Sequence, residues 1–159
     1  MNYFAYGSNM DKEDLDKWCK DHGYEIIKFL NVIPAKLKGY KLSFNYRSSS
    51  RGAGAANIMK SEADAVYGLL IELEDKNKET IRKKEGYRSH CYDEIKVEVE
   101  VLDGKIVADV LTYKVFKEKE SSVFEPPKKH YLELIKRAAE KYNFPENYKR
   151  FLKEIETLD

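Results

Sequence analysis

The stretch YDEIKVEVEVLDGKIVADVLTYKV, residues 92–115, constrains the fold more than any other part of the chain. Ile95, Val97, Val99 and Val101 alternate with polar residues, Asp103-Gly104 provides a tight turn, and the apolar pattern resumes at Ile106. A period of two on both sides of an Asp-Gly turn is the pattern of a β-hairpin with one face on a core. An antiparallel sheet is therefore expected in the middle of the chain.

The flanking segments extend that sheet and then change character. Asn2 to Tyr6 reads as a short strand, after which Leu15, Trp18, Cys19 and His22 recur at the spacing of one helix face, closed by Gly23. From Glu25 to Tyr46 the abundance of Ile, Leu, Val, Phe and Tyr predicts two strands, with Pro34 and Gly39 as breaks. RSSSRGAGAANIM starts as a loop and re-enters a strand near Ala55, and AVYGLLIEL, Ala65 to Leu73, has the length and apolarity of a buried strand. Asp75 to Glu85 predicts a surface helix, supported by the Glu79 and Lys83 pair and ended by Gly86. After Pro126-Pro127, residues Tyr131, Leu134, Ile135, Ala138, Ala139 and Tyr142 share one helical face. Pro145 then opens a last helix bearing Tyr148, Phe151, Leu152 and Ile155. Strands in the middle and helices at the end give an α+β class with a mainly antiparallel sheet.

Composition removes several functional classes. With 159 residues and 42% hydrophobic content the chain suits one domain over 1–159 with a single core. Lys and Arg total 29 against 28 Asp and Glu, so there is no basic footprint for nucleic acid. Cys19 and Cys91 are the only cysteines, which argues against a disulfide framework, and no apolar run approaches the roughly 18 residues of a membrane span. A cytoplasmic protein without a signal peptide, binding neither membrane nor nucleic acid, is the expectation. Cys19 with His22, and His90 beside Cys91, do not have metal-ligand spacing, so no metal is expected.

The segment Tyr6-Gly7-Ser8-Asn9 lies where a strand turns into a helix. Such a junction leaves backbone N–H groups without partners, and a glycine lets another molecule approach them, so the loop can hold a carboxylate or an oxyanion. The plain alternative is that Ser8, Asn9 or Asp11 caps the helix while Asp11, Glu13 and Asp14 complement its dipole. Ser8 is not placed as a nucleophile, because YGSNM lacks the second glycine of Gly-x-Ser-x-Gly and no triad context follows.

Five stretches, in order, resemble the gamma-glutamylcyclotransferase family: YFAYGSNM, GAANIM, AVYGLLIEL, KKEGYRSHCYDEIKVEV and EPPKKHYLELIKRAAEKYNFPENYKRFLKEIE. The last carries paired prolines, a Tyr four positions after the second of them, and a Pro-Glu-x-Tyr helix start. The resemblance spans nearly the whole chain. It implies a mainly antiparallel sheet closing into a small β-barrel, with flanking helices and a C-terminal helix pair. It also implies that the α-amino group of a gamma-glutamyl compound attacks its own γ-carbonyl, giving 5-oxoproline and a free amine, with no cofactor or metal.

By the same resemblance Glu85, before Gly86, is the catalytic acid and base. Tyr6, Gly7, Ser8, Asn9, Tyr131 and, by a weaker match, Tyr113 contact a small-molecule substrate. At the end of the predicted helix Glu85 would face carbonyls that raise a carboxyl pKa, opposed by Lys83, Lys84 and Arg88 if these turn inward. Asn9 disfavours the glutathione-specific branch, which usually reads Tyr-Gly-Ser-Leu. Turnover of a gamma-glutamylated antibiotic precursor or isopeptide, a non-catalytic binding barrel, and a homodimer all stay open. Tyr46 to Gly52, YRSSSRG, departs from the family pattern, and loops of that kind shape selectivity.

Overall fold

The computed structural model describes all residues from Met1 to Asp159. Strand β1 (Asn2–Ala5) leads through a 3-10 turn at Ser8–Met10 into α1 (Lys12–Asp21). Then come β2 (Asn31–Ser43), the short β3 (Arg47–Ser48) and β4 (Ala53–Gly54), and the long β5 (Asn57–Glu72). Helix α2 (Lys78–Lys84), β6 (Tyr92–Val101), β7 (Ile106–Val115), α3 (Lys129–Lys141) and α4 (Glu146–Lys153) complete the chain.

Five strands form a closed barrel in the order β1-β5-β2-β6-β7. Every neighbouring pair is antiparallel except β1 with β7, which meet in parallel at Tyr3 and Leu111. The Thr112 hydroxyl reinforces that seam by donating to the Phe4 carbonyl at 2.8 Å. Closure removes the unpaired sheet edges that would otherwise template aggregation. The α+β barrel with a C-terminal helix pair is as the sequence and the family resemblance led one to expect, and the β6–β7 hairpin folds as its alternation dictates.

Elsewhere the strand boundaries differ from the sequence reading. Glu25 to Phe29 forms no strand, and the two strands expected between Glu25 and Tyr46 are one, β2. Pro34 sits next to Ala35 and Lys36, the only residues at which β2 pairs β6, so with one neighbouring strand at its side a missing N–H is tolerated. Gly39 makes a bulge with φ +82°, where the register against β5 shifts between Lys38 and Tyr40, and pairing continues beyond it. The separate strands expected near Ala55 and over Ala65 to Leu73 likewise merge into β5.

A core of 35 buried residues fills the barrel and the space beneath the helices. Phe4, Ile58, Leu69, Ile71 and Val110 line it from the strands, while Leu132, Ile135 and Ala139 enter from α3. Fully burying one Leu, Ile or Phe is worth about 1.5–3 kcal/mol, so this shared core is what fixes α3 to the sheet. Helix α3 also packs on the 3-10 turn at Ser8–Met10, which brings the end of β1 and the start of α3 together. Phe151, expected on the buried face of α4, is 41% exposed. No helix is long and apolar enough to cross a membrane.

Candidate active site

The turn after β1 settles what its polar residues are free to do. Asp11 caps α1, its carboxylate accepting the Asp14 N–H at 3.0 Å, and neither Ser8 nor Asn9 makes a cap bond. Both are nonetheless buried. The Met10 and Asp11 N–H groups donate to the Gly7 and Ser8 carbonyls, whereas those of Gly7, Ser8 and Asn9 take part in none of the chain's turn, loop or cap bonds. A Cβ on Gly7 would lie 3.3 Å from the Tyr131 hydroxyl, so a side chain there would crowd the space that the loop faces.

Glu85 arrives from the other side. It is the residue that closes α2, its N–H donating to the Ile81 carbonyl at 2.9 Å, and Gly86 follows with φ +77°. One carboxyl oxygen, Oε1, accepts from the Tyr3 hydroxyl and from Asn9 Nδ2 at 2.9 Å, and Asn9 Nδ2 also donates to the Tyr3 oxygen at 3.0 Å. The other oxygen, Oε2, makes no hydrogen bond in the chain and keeps some solvent access. Asn9 Oδ1 is buried without a partner. Because Nδ2 must face the acceptor Glu85, the amide orientation is set by this network.

Burial raises the Glu85 pKa above the usual carboxylate range, and the Tyr3 bond, the Lys84 charge, the Asn9 bond and Arg51 each moderate the rise. Desolvation, and not the end of the helix, is thus the main cause. Of the cations that could have opposed it, Lys83 lies over the Tyr24 ring at 4.9 Å and Arg88 is ion-paired to Glu79 at 2.6 Å. Lys84 does act on Glu85, and burial together with the like charge of Arg51 brings its own pKa down to about 8.

Tyr131, on the first turn of α3, accepts the Ala56 N–H at 3.0 Å, and Tyr92 at the start of β6 donates to the Ala56 carbonyl at 2.6 Å. Two tyrosines thereby pin one residue of the segment entering β5. Burial pushes the pKa of Tyr3, Tyr6, Tyr92 and Tyr131 upward, so all four hydroxyls remain protonated near neutral pH. Tyr6, Gly7, Ser8, Asn9, Ala56, Glu85, Tyr92 and Tyr131 together enclose a pocket of about 30 Å³. Larger clefts exist on the surface, such as one of about 290 Å³ between Tyr67 and Tyr142, whose carboxylate, Glu100, is ion-paired to Lys36 and Lys38.

The structure therefore brings together Tyr6, Gly7, Ser8, Asn9, Glu85 and Tyr131 from the sequence-derived set, and leaves Tyr113 out. The Tyr113 ring lies edge-on to Tyr3 with centroids 6.0 Å apart, and its hydroxyl donates away from the pocket to Glu94 at 2.7 Å. Its backbone carbonyl accepts the Tyr6 hydroxyl at 2.5 Å, so its side chain supports the wall from behind and is not positioned to touch a ligand. Sequence reasoning missed Tyr3, Ala56 and Tyr92. Tyr3 and Tyr92 sit in strands where an aromatic residue reads as core packing, and only the side-chain alternation around Phe4 would have separated Tyr3 from it.

Comparison with known proteins bears on the family and the fold. Residues 65–152 match the AIG2-like family. The chain is 29% identical to the human gamma-glutamylcyclotransferase and 30% identical to that of Bos taurus, in each case across 99% of this chain and 79% of the relative. A solved structure described as a gamma-glutamyl cyclotransferase superposes with a TM-score of 0.82 at 27% identity, covering 99% of this chain and 89% of that one.

Proposed function

Since the chain belongs to the AIG2-like, gamma-glutamylcyclotransferase-like family, we propose that it cyclises the gamma-glutamyl group of small gamma-glutamyl compounds to 5-oxoproline and releases the amine, with Glu85 moving the protons. One observation carries this reading: a partly buried carboxyl with one oxygen tethered and the other open faces the same pocket as a loop with spare backbone donors.

The chemistry sets three requirements. The attacking α-ammonium must lose a proton before its nitrogen can bond to the γ-carbon, the carbonyl oxygen then carries negative charge, and the departing nitrogen must be protonated as its bond to that carbon breaks. In all, two protons leave the attacking nitrogen and two arrive on the leaving one. Glu85 Oε2 can accept and return them in turn, and a pKa raised by burial brings a carboxylate closer to the basicity that this exchange needs. Tyr3 and Asn9 hold Oε1, so the carboxyl keeps one orientation through the cycle. The unpartnered Asn9 Oδ1 supplies an acceptor for the substrate ammonium, and the Gly7, Ser8 and Asn9 N–H groups supply donors for the oxyanion.

The test is Glu85→Gln. Gln keeps the size and the acceptor for Tyr3 and Asn9 but cannot shuttle a proton, so kcat on a gamma-glutamyl dipeptide should fall by about 10²- to 10⁴-fold while KM changes little. A variant that turns over at close to the wild-type rate would remove Glu85 from the mechanism.

A further inference from the structure

The loop between β3 and β4 brings Arg51 against two residues that line the pocket. Its guanidinium lies 4.5 Å from the centre of the Tyr131 ring, and its Nη2 reaches Ser8 Oγ at 3.3 Å. Tyr131 and Ser8 line the pocket and Arg51 does not, so a guanidinium resting on both of them stands at the pocket's edge. Arg82, Arg88 and Arg137 each close on a carboxylate. Arg51, partly buried, has only a hydroxyl and an aromatic face as partners.

The loop that carries Arg51 is held in place. The Arg51 N–H donates to Ser48 Oγ at 3.3 Å, Gly52 N–H to the Ser48 carbonyl at 2.8 Å, and Ala55 N–H to the Tyr46 carbonyl at 2.9 Å. At its base Gly54 donates to the Pro126 carbonyl at 3.0 Å, and a Cβ on Gly54 would stand 1.8 Å from the Glu125 carbonyl oxygen. Only glycine allows that approach. The segment Glu125-Pro126, which leads into α3, is therefore what locks the Arg51 loop against the helix that bears Tyr131.

A pre-positioned guanidinium with donors left over, stacked on an aromatic ring and lacking an anion, is suited to bidentate recognition of a carboxylate. Glu85 and Asp14 both act on the neighbouring Lys84, whereas Arg51 has no carboxylate of its own to close on. On the cyclotransferase reading the γ-carbonyl reacts beside Glu85 and the leaving group projects to the pocket's edge. We infer that Arg51 receives the carboxylate of the leaving group, making it the specificity-determining residue that selects gamma-glutamyl α-amino acids over gamma-glutamyl amines.

Gamma-glutamyl-L-alanine and gamma-glutamyl-ethylamide differ only by that carboxylate. A charge-assisted hydrogen-bond pair of this kind corresponds to a preference of about 10- to 100-fold in kcat/KM for the alanine compound in the wild type. In Arg51→Met the ratio should collapse toward one, and in Arg51→Lys it should fall partway. A wild-type ratio near one, or a ratio that survives in Arg51→Met, overturns the assignment. Calorimetric binding of the same two compounds needs no turnover and separates this inference from the cyclotransferase reading on which it rests. Tighter binding of the alanine compound that is lost in Arg51→Met upholds Arg51 even if no 5-oxoproline forms, and equal or absent binding of both refutes it.

Discussion

The floor and the rim of the pocket are built in opposite ways. At the floor Tyr3 comes from a closed barrel, Asn9 from a buried turn and Glu85 from the end of a helix, and the three interlock through shared hydrogen bonds. On the rim Arg51 comes from a two-strand insertion outside the barrel and touches the floor's walls through one 3.3 Å bond and one ring face. A network with every member tied to the others has little freedom to change without losing its geometry, whereas a lone guanidinium on a loop can be replaced with little disturbance to the sheet. On the proposed function, the floor therefore suits the invariant part of the substrate and the rim its variable part.

If this contrast is right, perturbing the floor should change chemistry and perturbing its surroundings should not. After Glu85→Gln, the largest effect is expected from Asn9→Ala, which removes a donor to Glu85 and, on the proposed function, an acceptor for the substrate. Hydrogen bonds to charged groups are worth about 1.5–3 kcal/mol, so kcat/KM should drop by about 10- to 100-fold. The Asn9 bond lowers the Glu85 pKa against the effect of burial, so its loss should also move the acid limb of the pH–rate profile to higher pH. A drop without that shift would mean that Asn9 does not act through Glu85.

Next in size is Tyr131→Phe, which orphans the buried Ala56 N–H. That should destabilise the fold by about 1–3 kcal/mol in denaturant titrations and raise KM more than it lowers kcat. Smaller is the pH-dependent cost of Glu85 itself. Its folded pKa lies above its unfolded one, so the native state holds the proton longer, and stability is lost as pH rises from the ordinary glutamate value, near ~4.3, through the raised one. Glu85→Gln should match the wild type below that window and be the more stable of the two above it, as measured by denaturation on either side. The smallest effect is expected from Tyr113→Phe. Glu94 keeps its paired bonds to Arg82 at 2.8 Å, so kcat/KM should stay within about threefold and stability within about 1 kcal/mol.

The same contrast explains what the sequence made legible. The β6–β7 hairpin was readable because alternation and an Asp-Gly turn are local signals, and Glu85 and the Tyr6 to Asn9 turn were readable through short motifs with fixed neighbours. The Pro34 and Gly39 breaks were misread because a proline beside a short ladder and a glycine bulge interrupt a propensity pattern without interrupting a strand. Tyr3 and Tyr92 were hidden because a hydroxyl aimed at a partner far along the chain leaves no mark on local periodicity. Tyr3 meets Glu85 across 82 positions and Tyr92 meets Ala56 across 36. Arg51 was invisible for the same reason: its partners, Ser8 and Tyr131, are set by how the barrel closes and where α3 docks.

The floor's role is tested most directly by offering gamma-glutamyl-L-alanine and beta-aspartyl-L-alanine in parallel and measuring 5-oxoproline and free alanine together. A site that brings an α-amino nitrogen onto a γ-carbonyl should release equal amounts of both products from the first compound. It should release no alanine from the second, whose cyclisation would need a four-membered ring. Alanine released from both at comparable rates, or from the first without 5-oxoproline, would contradict intramolecular attack at this site.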